Sequence, residues 1–198
     1  MRSPWEFLVI ALVVTLTPGP ATATILRVAA RDGRRAAVSA VGGNSIGVFM
    51  WGALSAVGVS GLVLASHVAY DVLRIGGAVF LVVLGIRSLL GRRPVNDQPL
   101  PGRKGFRAGL LTSVSNPKLA AFFVALFPQF LRPGAPVLPL ALGMAATIVV
   151  FDLIWFSVLG LVVERAGGFV KPRVMRRLER TTGAAMIGFG LKLAADAR

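Results

Sequence analysis

The sequence contains no cysteine and only one histidine, His67, among its 198 residues. Without cysteine the chain cannot form a disulfide, hold a metal through thiolates or use a cysteine nucleophile. One histidine cannot complete a zinc site by itself. No G-x-x-x-x-G-K-[ST] stretch occurs, which argues against an ATP-driven motor in this chain. We therefore expect no metal and no cofactor.

Acidic residues are scarce, with 8 Asp and Glu against 22 Lys and Arg, and the formal net charge is +14. Such a surplus can indicate nucleic acid as a partner, but here the cations cluster between apolar segments, as in cytoplasmic loops. Apolar residues make up 55% of the chain and the mean hydropathy is +0.75. Because the apolar runs are long and nearly free of charge, we predict a membrane protein that binds no nucleic acid.

The apolar runs predict an all-α integral membrane protein with about six transmembrane helices, since about 20 apolar residues cross a bilayer. The last span is short and contains Lys192, so five spans is an alternative. A linker rich in proline, glycine and charge, residues 91–104, divides a single membrane domain into halves 1–90 and 105–198. The predicted spans are residues 4–26, 36–64, 70–90, 106–128, 136–163 and 181–195.

The distribution of basic residues predicts the orientation. Sixteen of the 22 Lys and Arg residues fall in the first, third and fifth gaps between spans or within four residues of them. Positive loops stay in the cytoplasm, so we expect both termini outside and the linker inside. The basic stretch 170–181 is predicted to be a solvated loop, with a short amphipathic helix as the alternative. A cleaved signal peptide ending near residues 21–23 is an alternative for the first span.

Each half carries a proline break in its opening span, T-P-G-P at 17–20 and S-N-P-K at 115–118. Three spans, a linker and three more spans predict two inverted three-helix repeats, an arrangement that many secondary transporters use. A proline break deep in a membrane is tolerated only against protein or a wet cavity. A restarted helix presents free N–H groups that suit a carboxylate. A packing kink is the alternative.

The candidate substrate-binding residues follow from these two breaks. Asn44 and Asn116 add neutral hydrogen-bonding groups near them, although either side chain could instead satisfy a freed carbonyl. The predicted site comprises Thr17, Pro18, Gly19 and Pro20 at the first break, Asn116, Pro117 and Lys118 at the second, and Asn44.

Two charged residues, Lys118 and Asp152, are predicted to lie near the middle of the bilayer. Each costs about 2.5–3.5 kcal/mol there, so a partner or a function is expected. A salt bridge between them is the structural alternative. In the functional interpretation Asp152 carries a proton or faces a substrate ammonium, and Lys118 is a counter-charge for Asp152 or for a carboxylate.

Several motifs together resemble the lysine exporter family, in its homoserine/threonine exporter branch. The resemblance rests on T-P-G-P at 17–20, G-R-R-A-A at 33–37 and G-G-N-S-I-G at 42–47, and on the stretches 73–90, 105–131 and 177–194. It implies export of amino acids or close derivatives across a bacterial inner membrane, driven by the proton-motive force. Members commonly carry Asp or Asn after P-G-P, whereas this chain has Ala21, which favours a smaller or less polar solute.

The sequence therefore predicts a secondary exporter, working by proton antiport, whose partners are a small amino acid or derivative, protons and the lipid bilayer. Only Asp152 and Lys118 lie at depth, too few groups for a membrane-embedded enzyme. A passive facilitator and a non-transporting membrane partner protein are the alternatives. A homo-oligomer is left open, because small-residue faces serve internal and external packing alike.

Overall fold

The computed structural model describes residues 4–65, 67–90, 105–126, 130, 136–165 and 172–195. Every regular element in these ranges is a helix, in agreement with the predicted all-α class. The linker 91–104 lies outside the described residues. The helices are α1 (Pro4–Leu16), α2 (Pro20–Ala65), α3 (His67–Leu89), α4 (Phe106–Val114), α5 (Pro117–Ala121) followed by a π-helical turn (Phe122–Leu126), α6 (Val137–Arg165) and α7 (Pro172–Ala195).

The first proline motif separates α1 from α2. Pro18 and Pro20 have no N–H to donate to the carbonyls four residues earlier, so the helix stops at Leu16. The backbone N–H and the hydroxyl of Thr17 both donate to the Val13 carbonyl, at 3.0 and 2.6 Å. The chain becomes helical again at Pro20, whose fixed φ suits a first helical position.

The second proline motif separates α4 from α5. α4 ends at Val114, and Asn116 caps the new helix, with its Oδ1 accepting the backbone N–H of Lys118 at 3.0 Å. Pro117 takes the first helical position, where its missing N–H has no partner to lose. The chain is therefore broken at both of the predicted places.

The predicted gap between the first two spans, residues 27–35, contains no loop. The chain is helical on both sides of Gly33, which alone has a non-helical backbone, with φ 81° and ψ 179°. This region of φ and ψ is open to glycine and strained for other residues. A single glycine thus redirects α2.

Glycines bring helices of the two halves into close contact. A Cβ at Gly109 of α4 would lie 1.8 Å from the Ala40 carbonyl oxygen of α2, and one at Gly43 would lie 2.0 Å from the Phe106 oxygen. The same holds for α3 and α7, where a Cβ at Gly85 would lie 2.6 Å from the Gly183 oxygen. Such small-residue crossings are typical of membrane helices.

The basic segment that opens α7 is helical, so its prediction as a solvated loop is wrong. α7 begins at Pro172, nine residues before the predicted start of the last span. The helix continues through this stretch because proline suits its first position and most of the following residues favour helix. The Ser88 hydroxyl of α3 donates to the Glu179 carbonyl at 2.7 Å, which anchors the added turns.

The start of α1 and the end of α7 lie at the same end of the molecule. The Lys192 ammonium is 2.5 Å from the Glu6 carboxylate, in a partly exposed ion pair. A chain with an even number of spans requires this arrangement, and Lys192, which weakened the prediction of the last span, lies at the tip of that helix rather than at its middle.

Many large apolar side chains face outward, while several polar side chains are buried inside. Val57 is 73% exposed and Ile154 58%, whereas Asn44 is 1% and Asp152 8% exposed. An outer surface of this kind suits lipid. By length and composition alone, Pro20–Gly58 and Val137–Gly160 could each cross a membrane, and Pro4–Leu16 and Ile75–Leu89 are shorter apolar helices.

Candidate functional site

Both helix breaks open onto one cavity inside the helix bundle. The cavity has a volume of ≈ 20 Å³, which is room for a water molecule but not for an amino acid. Its wall combines α1, the first break, α2, α5 and α6. The polar residues in that wall are Thr15, Thr22, Asn44, Asn116, Lys118 and Asp152.

Lys118 extends from α5 to the broken end of α1. Its ammonium donates to the carbonyl oxygens of Val14 at 2.7 Å and Thr17 at 2.9 Å. In an unbroken helix the Val14 carbonyl would accept from residue 18, which is a proline and has no N–H. The lysine therefore supplies the donor that Pro18 lacks, and its positive charge lies at the negative end of the α1 dipole.

Asp152 of α6 faces Asn44 of α2 across the cavity. The Asn44 side-chain nitrogen donates to Asp152 Oδ2 at 3.0 Å, as it must, because an ionised carboxylate only accepts. This leaves Asn44 Oδ1 buried without a partner among the described residues. The Thr15 hydroxyl also lacks a hydrogen-bond partner there, although it lies close enough to Asp152 to interact with the carboxylate.

The two buried charges share the cavity without touching. Among the described residues no ion pair joins the Lys118 ammonium to the Asp152 carboxylate, although each acts electrostatically on the other. A direct salt bridge holding α5 to α6 is therefore not what keeps these residues buried. Lys118 bonds to backbone carbonyls, and Asp152 bonds to an amide.

The model of the LysE type translocator family matches residues 12–197, almost the whole chain. The chain belongs to that family. It is accordingly a membrane-embedded transporter and not an enzyme. No solved structure matches the chain.

Several bacterial proteins resemble this translocator over nearly their full length. A homoserine/homoserine lactone efflux protein of Salmonella typhimurium is 27% identical over 201 residues, covering 98% of both chains. An uncharacterized membrane protein of Vibrio cholerae is 30% identical over 193 residues, covering 95% of this chain and 94% of its own. One from Pseudomonas aeruginosa is 30% identical over 202 residues, covering 96% and 94%.

The predicted site residues of the translocator divide into two groups. Five of them line the cavity: Gly19, Asn44, Asn116, Lys118 and Asp152. The cavity wall does not include Thr17, Pro18, Pro20 or Pro117, which instead shape the breaks. Thr17 contributes its carbonyl to Lys118, while its hydroxyl turns to Val13 and Met186.

Sequence reasoning missed Thr15 and Thr22, which are 6% and 5% exposed and line the cavity. A threonine in an apolar helix usually bonds to its own preceding turn, so its type carries little signal. Only the position of Thr15 in the helix could have indicated that it lines the cavity. Thr15 stands one helical turn before Gly19, on the face that leads to the break.

Proposed function

We propose that this translocator is a proton-coupled secondary exporter of small amino acids or their close derivatives in a bacterial inner membrane. Family membership supports an exporter of the amino-acid type, and the Salmonella relative is named for efflux of homoserine and homoserine lactone. The observation that carries the proposal is the shared cavity, onto which both helix breaks and the buried Asp152 open.

The proposed binding pose follows from the charges around the cavity. The substrate ammonium binds Asp152, and its carboxylate points to the first turn of α2, where the N–H groups of Ala21 and Thr22 have no helical acceptor. Both of these residues line the cavity. Lys118, held at the end of α1, adds a positive field on the carboxylate side.

The first break also has the depth expected of a transport site. α1 has 13 residues, and an equal number separates the start of α2 from Gly33. Each piece is therefore about 20 Å long, and together they exceed the roughly 30 Å hydrocarbon core. We therefore infer that the break between them falls near the middle of the bilayer.

The packing of the helices supports an inverted repeat. α4 packs on α2, and α1 packs on α6. A two-fold axis in the plane of the membrane that relates the halves would map the α2–α4 contact onto the α6–α1 contact. The α3–α7 contact maps onto itself, with Gly85 and Gly183 each facing the other's carbonyl. We propose that the halves rock about the cavity, which must widen to admit a substrate.

Proton coupling is assigned to competition at Asp152. A substrate ammonium binds the carboxylate from the cytoplasm, and a proton arriving from outside replaces it and releases the substrate. Asp152 is then neutralised by a proton, rather than by the solute, when the transporter returns to face the cytoplasm. The Asn44 amide keeps the carboxylate oriented in both steps.

Efflux from proteoliposomes tests this function. With threonine, homoserine and homoserine lactone as a panel, wild-type efflux should rise with an inward proton gradient. Asp152→Asn should remove that dependence, with efflux falling by about a hundredfold as the charge partner of the ammonium is lost. The matched control is Asp32→Asn, since Asp32 is half-buried beside Gly33, outside the cavity.

The outcomes separate the competing functions. Efflux of the panel that ignores the pH gradient identifies a passive facilitator. If Asp152→Asn retains gradient-dependent efflux at the wild-type rate, then the proton is carried elsewhere. No efflux and no substrate-dependent thermal shift would favour a non-transporting membrane protein.

A further inference from the structure

Two buried oxygen atoms in the cavity wall have no hydrogen-bond partner among the described residues, although the Thr15 hydroxyl lies close enough to Asp152 to interact with its carboxylate. They are Asn44 Oδ1 and Thr15 Oγ1, among the four unpaired buried side-chain atoms in the described part of the chain. Buried polar atoms are nearly always hydrogen-bonded, so such orphans indicate that something else binds there. Both residues line the cavity, and both are more than nine-tenths buried.

The two orphans share the cavity with the Asp152 carboxylate. The wall thus offers three kinds of acceptor, a carboxylate, an amide carbonyl and a hydroxyl, on α6, α2 and α1. The Asn44 nitrogen already donates one N–H to Asp152. The carboxylate is negatively charged and all three side chains can accept, so a cation with several N–H groups can bond to all of them.

A primary ammonium group matches this set, because it carries three N–H donors. We propose that Thr15, Asn44 and Asp152 form a subsite for a primary ammonium, so that the exporter carries compounds with an unsubstituted amino group and rejects N-methyl and N-acyl derivatives. The inference rests on the proposed export function and adds its substrate class. The carboxyl end of the substrate lies outside this subsite, so lactones and free acids both qualify.

The other cation in the cavity does not occupy this subsite. The Lys118 ammonium donates to the Val14 and Thr17 carbonyls, and no ion pair joins it to Asp152, which the structure also describes. A water molecule fits the cavity volume and can bond to the orphan oxygens before substrate arrives. A substrate amine then replaces water and brings the charge that water lacks.

Substitution on nitrogen should reduce binding stepwise. One N-methyl group removes one donor and adds bulk, leaving a buried acceptor unpaired. A site built to hydrogen-bond a group rejects the analogue that lacks it, so we expect at least about a tenfold loss. N-acetylation removes the charge as well, and efflux of such compounds should be undetectable.

The test compares parent and modified compounds in proteoliposomes of the full-length protein. Threonine, homoserine and homoserine lactone are each supplied unmodified, N-methylated and N-acetylated, and the ratio of parent to N-methyl efflux is measured. Thr15→Val should weaken transport of the parents by about tenfold and that of the N-methyl forms by less, so the ratio falls. Thr15→Ser keeps a hydroxyl and should keep the ratio.

The matched control is Thr24→Val. Thr24 is equally buried on α2, but its hydroxyl is paired with that of Thr112 at 3.1 Å, and it does not line the cavity. A general loss of packing would lower transport in both valine variants without changing the ratio. If Thr15 contacts the ammonium, the ratio of parent to N-methyl efflux should change in Thr15→Val and stay unchanged in Thr24→Val.

Each result decides the question. Efflux of N-methyl forms as fast as their parents in the wild type overturns the subsite, even if Thr15→Val does not fold. An unchanged ratio in a folded Thr15→Val removes Thr15 from it. If the wild type exports no primary amine in the panel, the export function fails first and the subsite with it.

Discussion

Lys118 links the two breaks of the chain through a single residue. Its backbone N–H is bound by the cap of α5, and its side chain is bound to the end of α1. The backbone group that Pro18 leaves unpaired is thus satisfied by a residue a hundred positions away. A carbonyl left unpaired in the membrane interior costs free energy, so the lysine makes the break tolerable.

Removing the Lys118 ammonium should therefore destabilise the protein as well as reduce transport. Lys118→Met keeps the length of the side chain but leaves the Val14 and Thr17 carbonyls without their donor. We expect a loss of about 1–3 kcal/mol, measured as a lower thermal midpoint in detergent. Lys118→Arg retains charge and donors and should recover part of it.

The control for this variant is Lys192→Met. Lys192 is 51% exposed and pairs with Glu6 at the molecular surface, where an ion pair contributes at most about 1 kcal/mol. Its loss should leave the thermal midpoint nearly unchanged. A Lys118→Met protein as stable as the Lys192→Met protein would show that the carbonyls have other partners.

The sequence allowed the buried charged residues of the site to be predicted, but it did not allow their bonding partners to be predicted. Charge at mid-bilayer singled out Lys118 and Asp152, because that argument needs only position in a span. Their partners depend on how distant helices approach, and neither the Asn44–Asp152 bond nor the Lys118–Val14 bond has a local sequence pattern. Thr15 was missed because its role arises only where α1, α2 and α6 meet.

At the scale of helices, strong local signals were the reliable ones. Proline at 18, 20 and 117 placed both breaks, because a missing N–H acts within the same chain segment. The ends of helices were less certain. The α7 start at Pro172 was obscured by its charges, and Gly33 redirects α2 without a loop, which composition alone does not distinguish from a short turn.

The α2–α4 crossing should be the most sensitive contact between helices. Gly109→Ala places a methyl carbon 1.8 Å from the Ala40 carbonyl oxygen, and backbone cannot yield as a side chain can. The helices must separate, which moves Asn44, one turn beyond Ala40. We expect destabilisation of about 1–3 kcal/mol or more, seen as a lowered thermal midpoint and reduced yield.

Gly143→Ala is the matched control for that crossing. Gly143 lies on α6, where an added Cβ meets no atom within 4 Å, and alanine favours helix over glycine. This variant should be at least as stable as the wild type. Equal stability of the two alanine variants would mean that α2 and α4 do not approach each other this closely.

At the scale of the whole molecule, helices from residues 1–90 pack directly against helices from residues 105–198. The α2–α4 and α3–α7 crossings each combine one helix from either half, and the cavity takes its wall from both. If the cavity opens as proposed, these crossings must shift as well. The glycines at these crossings let the neighbouring backbones approach closely.

The orientation of the molecule can be tested because the chain contains no cysteine, so an introduced one is the only thiol. Glu6 lies in the first turn of α1 beside Lys192 of α7. Asp32 lies beside Gly33, at the far end of the broken first span. With both termini outside, Glu6→Cys should react with a membrane-impermeant maleimide in intact cells, and Asp32→Cys only after permeabilisation. The reverse pattern would invert the molecule and place the basic loops outside, against the charge rule. Labelling of both residues from outside would mean that the broken helix does not cross the bilayer, and the cavity at its break would then lose its position at mid-membrane.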